Sequence, residues 1–490
     1  MKKWVCFTTA AMVIVGTLAG VVYQYEKKQK IKETEVLSHA ELTISLIGSE
    51  PKDMDMVLKR LNELTERDLN CSVDIEWIGK GEYNSRYPIL LTTDKHIDLI
   101  YASNWLHFIE HAQRGAFAPL DNLVEQYAPE TNEILTEAER KQATVDDNLY
   151  AIPSNYVNYN ALGVIARGDL MDKYQIDSID SFDDYLDFCD VISREEGMDP
   201  TGMCAINQDM ITLYVLSKGY YPVTGDNSCP YWVDLKDKNF KVYFQSECPE
   251  VDEYLSKAEE WFQKGYWRAD VLASKEEMLL DVGLAASRIH NYDAYLGEYG
   301  LNQDKDIRYY NLVNPIVRQT ALQDAMAIPA LSTNKERAMM LLEKLRNDEE
   351  YYMLLMYGIE GYHYTKADRQ ITFLNNDYGN EPGTWGIRDE RYKCWDSILP
   401  DDALEMRSAF KKEAVDTPLV NFDLDLDSIG KQYEKIQNVM DVYYAPLKLG
   451  YIDYDEGMKE LALHLKEAGN EEVKAEIQRQ IQEYLEGQTP

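Results

Sequence analysis

Cations are scarce in this sequence. Its 490 residues hold 50 Lys and Arg against 86 Asp and Glu, a formal net charge of −36. That balance excludes nucleic acid and an anionic membrane face as partners, because both must be met with positive charge. The seven cysteines include no C-x-x-C pair, so neither a zinc knuckle nor a thioredoxin-type redox motif is present. No G-x-S-x-G elbow and no G-x-x-x-x-G-K-[ST] phosphate loop occurs, which removes the common hydrolase and ATPase signatures. Phenylalanine is low at 11, whereas Tyr reaches 36 and Trp 8. This bias favours rings that stack on flat ligands and hydrogen-bond at their rims. Hydrophobic content of 45% is ordinary for a folded chain, and the length corresponds to about two to four domains.

The amino terminus carries a targeting signal. Lys2 and Lys3 precede an uncharged, mostly apolar run from Trp4 to Tyr23, and residues 24–40 follow as a charged spacer. Segment 1–23 therefore reads as a signal anchor or a signal peptide. The run is long for a secretory core, and Thr17-Leu18-Ala19-Gly20 is a poor cleavage site, which favours the uncleaved anchor. Lys27, Lys28, Lys30 and Lys32 lie just after the span, and by charge count they place the body inside. Long domains, however, translocate largely regardless of such charge.

The body alternates strands with helices. Glu41–Ile47 is a strand running into Gly48-Ser49-Glu50-Pro51, and Asp53–Leu69 is a helix with Met56, Leu61, Leu64 and Leu69 at helical spacing. Ser72–Ile78 and Ile97–Tyr101 are further strands, the latter ending at Ala102-Ser103-Asn104-Trp105. This order predicts βαβ units and a parallel sheet, with ligands beyond the carboxyl ends of the strands. Extended stretches at 150–157 and 161–166 are broken by Pro153 and Asn158-Tyr159-Asn160, while 285–290 and 308–312 are strands. Helical patterns cover 180–195, 251–264, 275–281, 334–347, 348–357 and most of 432–486. Two β-rich runs, 231–235 and 240–244, form a hairpin flanked by Cys229 and Cys248, which an oxidising exterior would staple as a disulfide.

Five stretches together resemble the extracellular solute-binding proteins of ABC importers, more narrowly the sugar-binding, Gram-positive lipoprotein type. They are Leu42–Ile47 with its helix; Asp98-Leu99-Ile100-Tyr101 with Gly115-Ala116-Phe117-Ala118-Pro119-Leu120-Asp121; Tyr150-Ala151-Ile152-Pro153; Ala325-Met326-Ala327-Ile328-Pro329 with the Ser332-Thr333-Asn334-Lys335-Glu336 helix start; and Tyr357-Gly358-Ile359-Glu360-Gly361-Tyr362-His363-Tyr364. The resemblance implies an α/β, two-lobed, periplasmic-binding-protein-like fold of type II, with hinge-connected lobes and a helical carboxyl-terminal segment. Lobe one would comprise 41–153 plus 325–365, and lobe two 160–315 plus 366–490. The implied role is capture of a carbohydrate, an oligosaccharide by its aromatics, in the interlobe cleft by hinge closure. The implied partners are ABC permease subunits, with the chain a monomer anchored at the extracellular face of the membrane. It implies no catalytic residue, metal or cofactor. One departure concerns the anchor: family members carry a lipid-acceptor Cys after the apolar run, and here no Cys occurs between Cys6 and Cys71.

Two enzymatic readings compete. His107-Phe108-Ile109-Glu110-His111 matches the H-x-x-E-H pattern of zinc metallopeptidases, in which two His share a helix face. It needs a third ligand that the sequence does not single out. A glycoside hydrolase needs only two carboxylates, and 86 acids give no reason to choose a pair. For binding, strand ends and crossings nominate Glu50, Ser103, Asn104, Trp105, Tyr159, Asn160, Tyr292 and Asp293, with Glu360, Tyr362, Trp232 and Trp385 near turns. Tyr292 with Asp293 is the expected stacking and hydrogen-bonding pair.

Overall fold

The computed structural model describes residues 38–93, 96–205, 209–276 and 278–487. The expected signal anchor at 1–23 and most of the spacer lie outside them. Among the described residues no helix is long and apolar enough to cross a membrane.

Eight strands build the two principal sheets: β1 (Ala40–Ile47), β2 (Cys71–Ile78), β3 (Leu99–Ala102), β4 (Ala151–Pro153), β5 (Leu162–Arg167), β6 (Ser287–Asn291), β7 (Ile307–Asn311) and β8 (Ala325–Ala327). The first sheet has the order β2-β1-β3-β8-β4. β1 pairs in parallel with β2, from Ala40 opposite Cys71 to Ile47 opposite Ile78, and in parallel with β3. The helix Met54–Leu69 covers this sheet with Val57, Leu61 and Leu64, each almost fully buried. Each such side chain contributes about 1.5–3 kcal/mol by leaving water. Asn70, at φ 45°, ends the helix in the left-handed conformation and turns the chain into β2.

The expected parallel sheet needs correction. β8 runs antiparallel to both of its neighbours, β3 and β4, and the second sheet, β6-β5-β7, is antiparallel throughout. β5 feeds two packing layers from its two faces: Leu162, Val164 and Ala166 point into one, Ile165 into the other. Nor do the described residues of 275–281 form a helix. The Ser274 hydroxyl accepts the Glu276 N–H at 3.2 Å, a local turn that competes with helix formation, and Lys275 reaches across to the Gly81 carbonyl at 2.7 Å.

Buried side chains fall into a first core from Leu42 to Ile152 plus 322–394, a second from Leu162 to Val313 plus 419–481, and a smaller third around Tyr159, Tyr292, Tyr309 and Phe410. Ile371, Tyr378, Ile387 and Cys394 pack in the first core, so the chain stays there well past the boundary expected at 365. Three crossings join the cores and are tied to one another. Asn160 N–H donates to Val317 O at 2.8 Å, Gln319 N–H to Asn158 O at 2.9 Å, and Ser154 N–H to Asp324 O at 2.8 Å. The last crossing joins through Asn155 N–H to Arg388 O at 3.0 Å and Glu390 N–H to Asn155 O at 2.9 Å.

The hairpin forms, with Phe244 opposite Tyr231, but its expected disulfide does not. Cys229 and Cys248 are free, buried thiols. A 3-10 turn, Gln245–Glu247, carries Cys248 beyond the paired strands, while the Cys229 thiol donates to Tyr231 O at 3.4 Å. Burial pushes both thiols above their ordinary range.

Candidate functional site

A cleft of about 3030 Å³ lies between the two main cores, lined by the loops after β1, β2 and β3, by the crossings, and by the start of the helix after β6. These loops sit at the carboxyl ends of parallel strands, where side chains project free of the sheet. The volume exceeds the roughly 300–1,000 Å³ of small-molecule pockets and suits an extended ligand.

One wall is aromatic. Trp77 at the end of β2, Tyr83, Trp105 and Trp385 line it, backed by fully buried Tyr101. Trp105 stands edge-on to Tyr83, with ring centroids 5.4 Å apart, and is tilted over Tyr101 at 5.6 Å; Tyr101 meets Trp385 edge-on at 5.9 Å. Two local features present these rings. Trp105 sits in the 3-10 turn Asn104–Leu106, whose entry is fixed by the Ser103 hydroxyl donating to Gln323 O at 2.7 Å. Trp385 is carried by a loop that only glycine permits. Gly383 has φ +63° and lies so close to β1 that an added Cβ would fall 2.5 Å from Ile47 O, while one on Gly386 would fall 2.5 Å from Ala325 O.

Beside the aromatic wall lies a buried polar network. Asp324 accepts the Tyr101 hydroxyl at 2.6 Å and the Asn158 amide at 2.9 Å, with Arg388 3.7 Å away. Arg388 donates to Glu381 at 2.7 Å, and Lys393 pairs with the other Glu381 oxygen. Burial alone would raise the Glu381 carboxyl, but the Arg388 and Lys393 cations outweigh it and hold it down at about 2. For Asp324 the balance is reversed: burial dominates and its carboxyl is raised above the ordinary range despite Arg388. Asp293 accepts the Tyr156 hydroxyl at 2.7 Å, and Arg407 donates to that same hydroxyl at 3.1 Å and to Glu390 at 2.8 Å. The Arg388 and Arg407 guanidiniums lie 5.1 and 4.5 Å from the Tyr156 ring centre. Charges so thoroughly paired are fixed in place, and a fixed array of acceptors and donors is what sugar hydroxyls need.

Of the residues nominated from sequence, Glu50, Asn104, Trp105, Tyr159, Asn160, Asp293 and Trp385 line this one cleft. Ser103 stands behind it as described. Tyr292 does not line it and is a correction. Asn291 caps the helix Tyr292–Glu298, its side chain accepting the Ala294 N–H at 2.9 Å, so Tyr292 and Asp293 begin the helix about 100° apart. Asp293 faces the cleft, whereas the Tyr292 ring packs 4.8 Å from Tyr309 and 5.1 Å from Phe410, with its hydroxyl on Ala403 O. Trp232 is likewise core, fully buried, its indole N–H on Cys229 O at 2.9 Å. Glu360 and Tyr362 lie on a turn that does not reach the cleft; Tyr362 is 47% exposed and its ring meets His363 edge-on.

The zinc reading loses its geometry. His107 has φ 55° and precedes the helix Phe108–Gln113 as its cap, so His107 and His111 do not share a helical face. Glu110 pairs with Arg114 at 2.7 Å. Among the described residues no group of three or more His, Cys, Asp or Glu is placed to hold a metal. Conversely, sequence reasoning missed Trp77, Tyr83, Tyr101, Asp324, Glu381 and Arg388. Tyr101 and Asp324 carried a usable signal, one closing a buried strand and the other directly preceding Ala325-Met326-Ala327.

Residues 418–486 match the model of a domain of unknown function, DUF3502. Over 99% of both chains the sequence is 25% identical to a carbohydrate ABC transporter substrate-binding protein of Streptococcus pneumoniae. The N-glycan transport solute-binding protein NgtS of S. pneumoniae, crystallised with Man1GlcNAc, superposes with a TM-score of 0.80 at 23% identity, covering 91% of this chain and 100% of that one. The S. pneumoniae ABC-transporter substrate-binding protein FusA, crystallised with kestose, superposes at 0.57 with 16% identity, covering 91% and 100%. This chain therefore has the periplasmic-binding-protein-like fold of the solute-binding proteins of ABC importers and is related along its whole length to one of them.

Proposed function

We propose that this chain is the capture subunit of an ABC importer and holds an oligosaccharide in the interlobe cleft. A single juxtaposition supports this most strongly: the Trp105–Trp385 wall faces the same space as Asp293 and the Asp324–Arg388 network, at the crossings where two lobes hinge. Sugars present apolar C–H faces that rest on rings, and hydroxyl edges that pair with fixed carboxylates and amides. Closure about the three crossings sequesters the ligand and presents it to permease subunits in the membrane. The reading places the body outside the cell, held at the membrane face by the segment before residue 38, and acting as a monomer. It assigns no catalytic residue and no turnover.

NgtS has been crystallised with Man1GlcNAc and Man5GlcNAc, so these are the first ligands to try. Calorimetry of both against the purified chain, with chromatography of the recovered sugar, tests the reading. Saturable binding with the sugar recovered intact is expected; cleaved sugar, or no heat from either sugar or from a wider oligosaccharide panel, overturns it.

A further inference from the structure

The carboxyl-terminal segment that matches a domain of unknown function also faces the cleft. Its helix Gly430–Val439 runs through a π turn, Met440–Tyr444, into Ala445–Lys448. Ile436, Val439, Tyr444 and Leu447 are buried in the second core. The gap of five from Val439 to Tyr444 is one π turn, which keeps the apolar face in phase along the whole rod. The opposite face is held in phase by the same turn. Glu434, Gln437, Met440, Asp441 and Lys448 all line the cleft, and none of them is in the core.

At the far end of this face the polar groups are anchored. Lys448 pairs with Asp209, both side chains 19% exposed, and Asp209 also caps the helix Met210–Ser217 by accepting the Thr212 N–H at 3.0 Å. Burial works against the Asp209 charge, but Lys448 outweighs it and lowers its carboxyl below the ordinary range. This face therefore belongs to the same open space as the aromatic wall, yet none of its cleft-lining residues from Glu434 to Lys448 is aromatic. It offers carboxylate and amide groups and one thioether, while its one cation, Lys448, is already paired with Asp209.

The geometry points to a second set of subsites here: the polar face from Glu434 to Lys448 binds the distal residues of the same oligosaccharide whose first residues stack on Trp105 and Trp385. The inference rests on the carbohydrate reading above. Hydroxyls, which donate to carboxylates, fit this face; a sugar carrying carboxylate, sulfate or phosphate at that end meets Glu434 and Asp441 and is repelled. The domain of unknown function thus acts as a length and charge gauge for neutral oligosaccharides.

The test compares a short and a long ligand by calorimetry, using Man1GlcNAc and Man5GlcNAc against wild type, Gln437→Ala, Asp441→Ala and Trp105→Ala. Gln437 is half-buried and Asp441 exposed, so these truncations leave the fold intact, which thermal unfolding checks. Wild type is expected to bind Man5GlcNAc more tightly than Man1GlcNAc. Gln437→Ala and Asp441→Ala are each expected to weaken Man5GlcNAc by about tenfold and leave Man1GlcNAc within about twofold, whereas Trp105→Ala weakens both. Equal affinity of wild type for the two sugars, or loss of neither or both on truncating Gln437 and Asp441, overturns the distal subsites while the carbohydrate reading stands. Binding of neither sugar by wild type overturns that reading, and this one with it.

Discussion

Replacing Trp105 with alanine removes the middle ring of the aromatic wall. In the free protein the indole is partly exposed and touches two rings, Tyr83 at 5.4 Å and Tyr101 at 5.6 Å. Each such pair contributes about 0.5–1.5 kcal/mol beyond the burial of its area, so the two ring contacts alone cost folding about 1–3 kcal/mol. The ligand loses more in proportion. A stacking ring at the centre of a binding surface is worth about 2 kcal/mol or more, roughly thirtyfold in affinity. Trp105→Phe keeps a face for the sugar and should recover most of that loss. The assay is calorimetric titration of each variant with an oligosaccharide that wild type binds, paired with denaturant unfolding to separate affinity from stability. Binding of Trp105→Ala within about twofold of wild type would refute the stacking role. So would a loss of affinity fully matched by unfolding.

Tyr292 gives the converse result: Tyr292→Ala should cost about 3–5 kcal/mol of stability, read by denaturant midpoint, because its ring packs against Tyr309 and Phe410 in a closed cluster. Tyr292→Phe should cost only about 1–3 kcal/mol, the price of leaving Ala403 O without its donor, and should leave sugar affinity unchanged. Glu381, with a folded-state pKa of about 2 against an ordinary value of 4.5, adds stability that is complete above about pH 5 and lost as pH falls toward 2. The linked energy is about 3 kcal/mol at neutral pH. Glu381→Gln should therefore be less stable at pH 7 and lose less further stability on acidification, as followed by denaturant unfolding at several pH values. Alkylation in denaturant without reductant should modify both Cys229 and Cys248; protection of the pair until reductant is added would contradict the free thiols.

Much of the fold was legible because its signals are periodic. The apolar alternation of Leu42 to Ile47, the helical spacing of Leu61 and Leu64, and the Pro153 break at the first crossing are local features that packing did not override. The direction of β8 was not legible: Ala325-Met326-Ala327 is buried on both faces and reads the same in a parallel or an antiparallel ladder. The Tyr292 error turned on a single residue of phase. Where Asn291 starts the helix decides which of two neighbours faces the cleft, and capping geometry rather than residue type sets that. The ionic network was invisible for a different reason. Glu381, Arg388 and Lys393 are near in sequence but sit in an irregular stretch with no periodicity to mark them, charged residues are ordinarily exposed, and only the fold brings them to Asp324 in a buried place.

Lobes that close on a sugar make the molecule more compact, and small-angle scattering measures that change. Titrating the chain with Man5GlcNAc should shrink its radius of gyration progressively and saturate at one sugar per chain, with Trp105→Ala requiring roughly thirtyfold more sugar to reach the same end point. Curves that superimpose at every sugar concentration, while calorimetry on the same sample reports binding, would contradict the account.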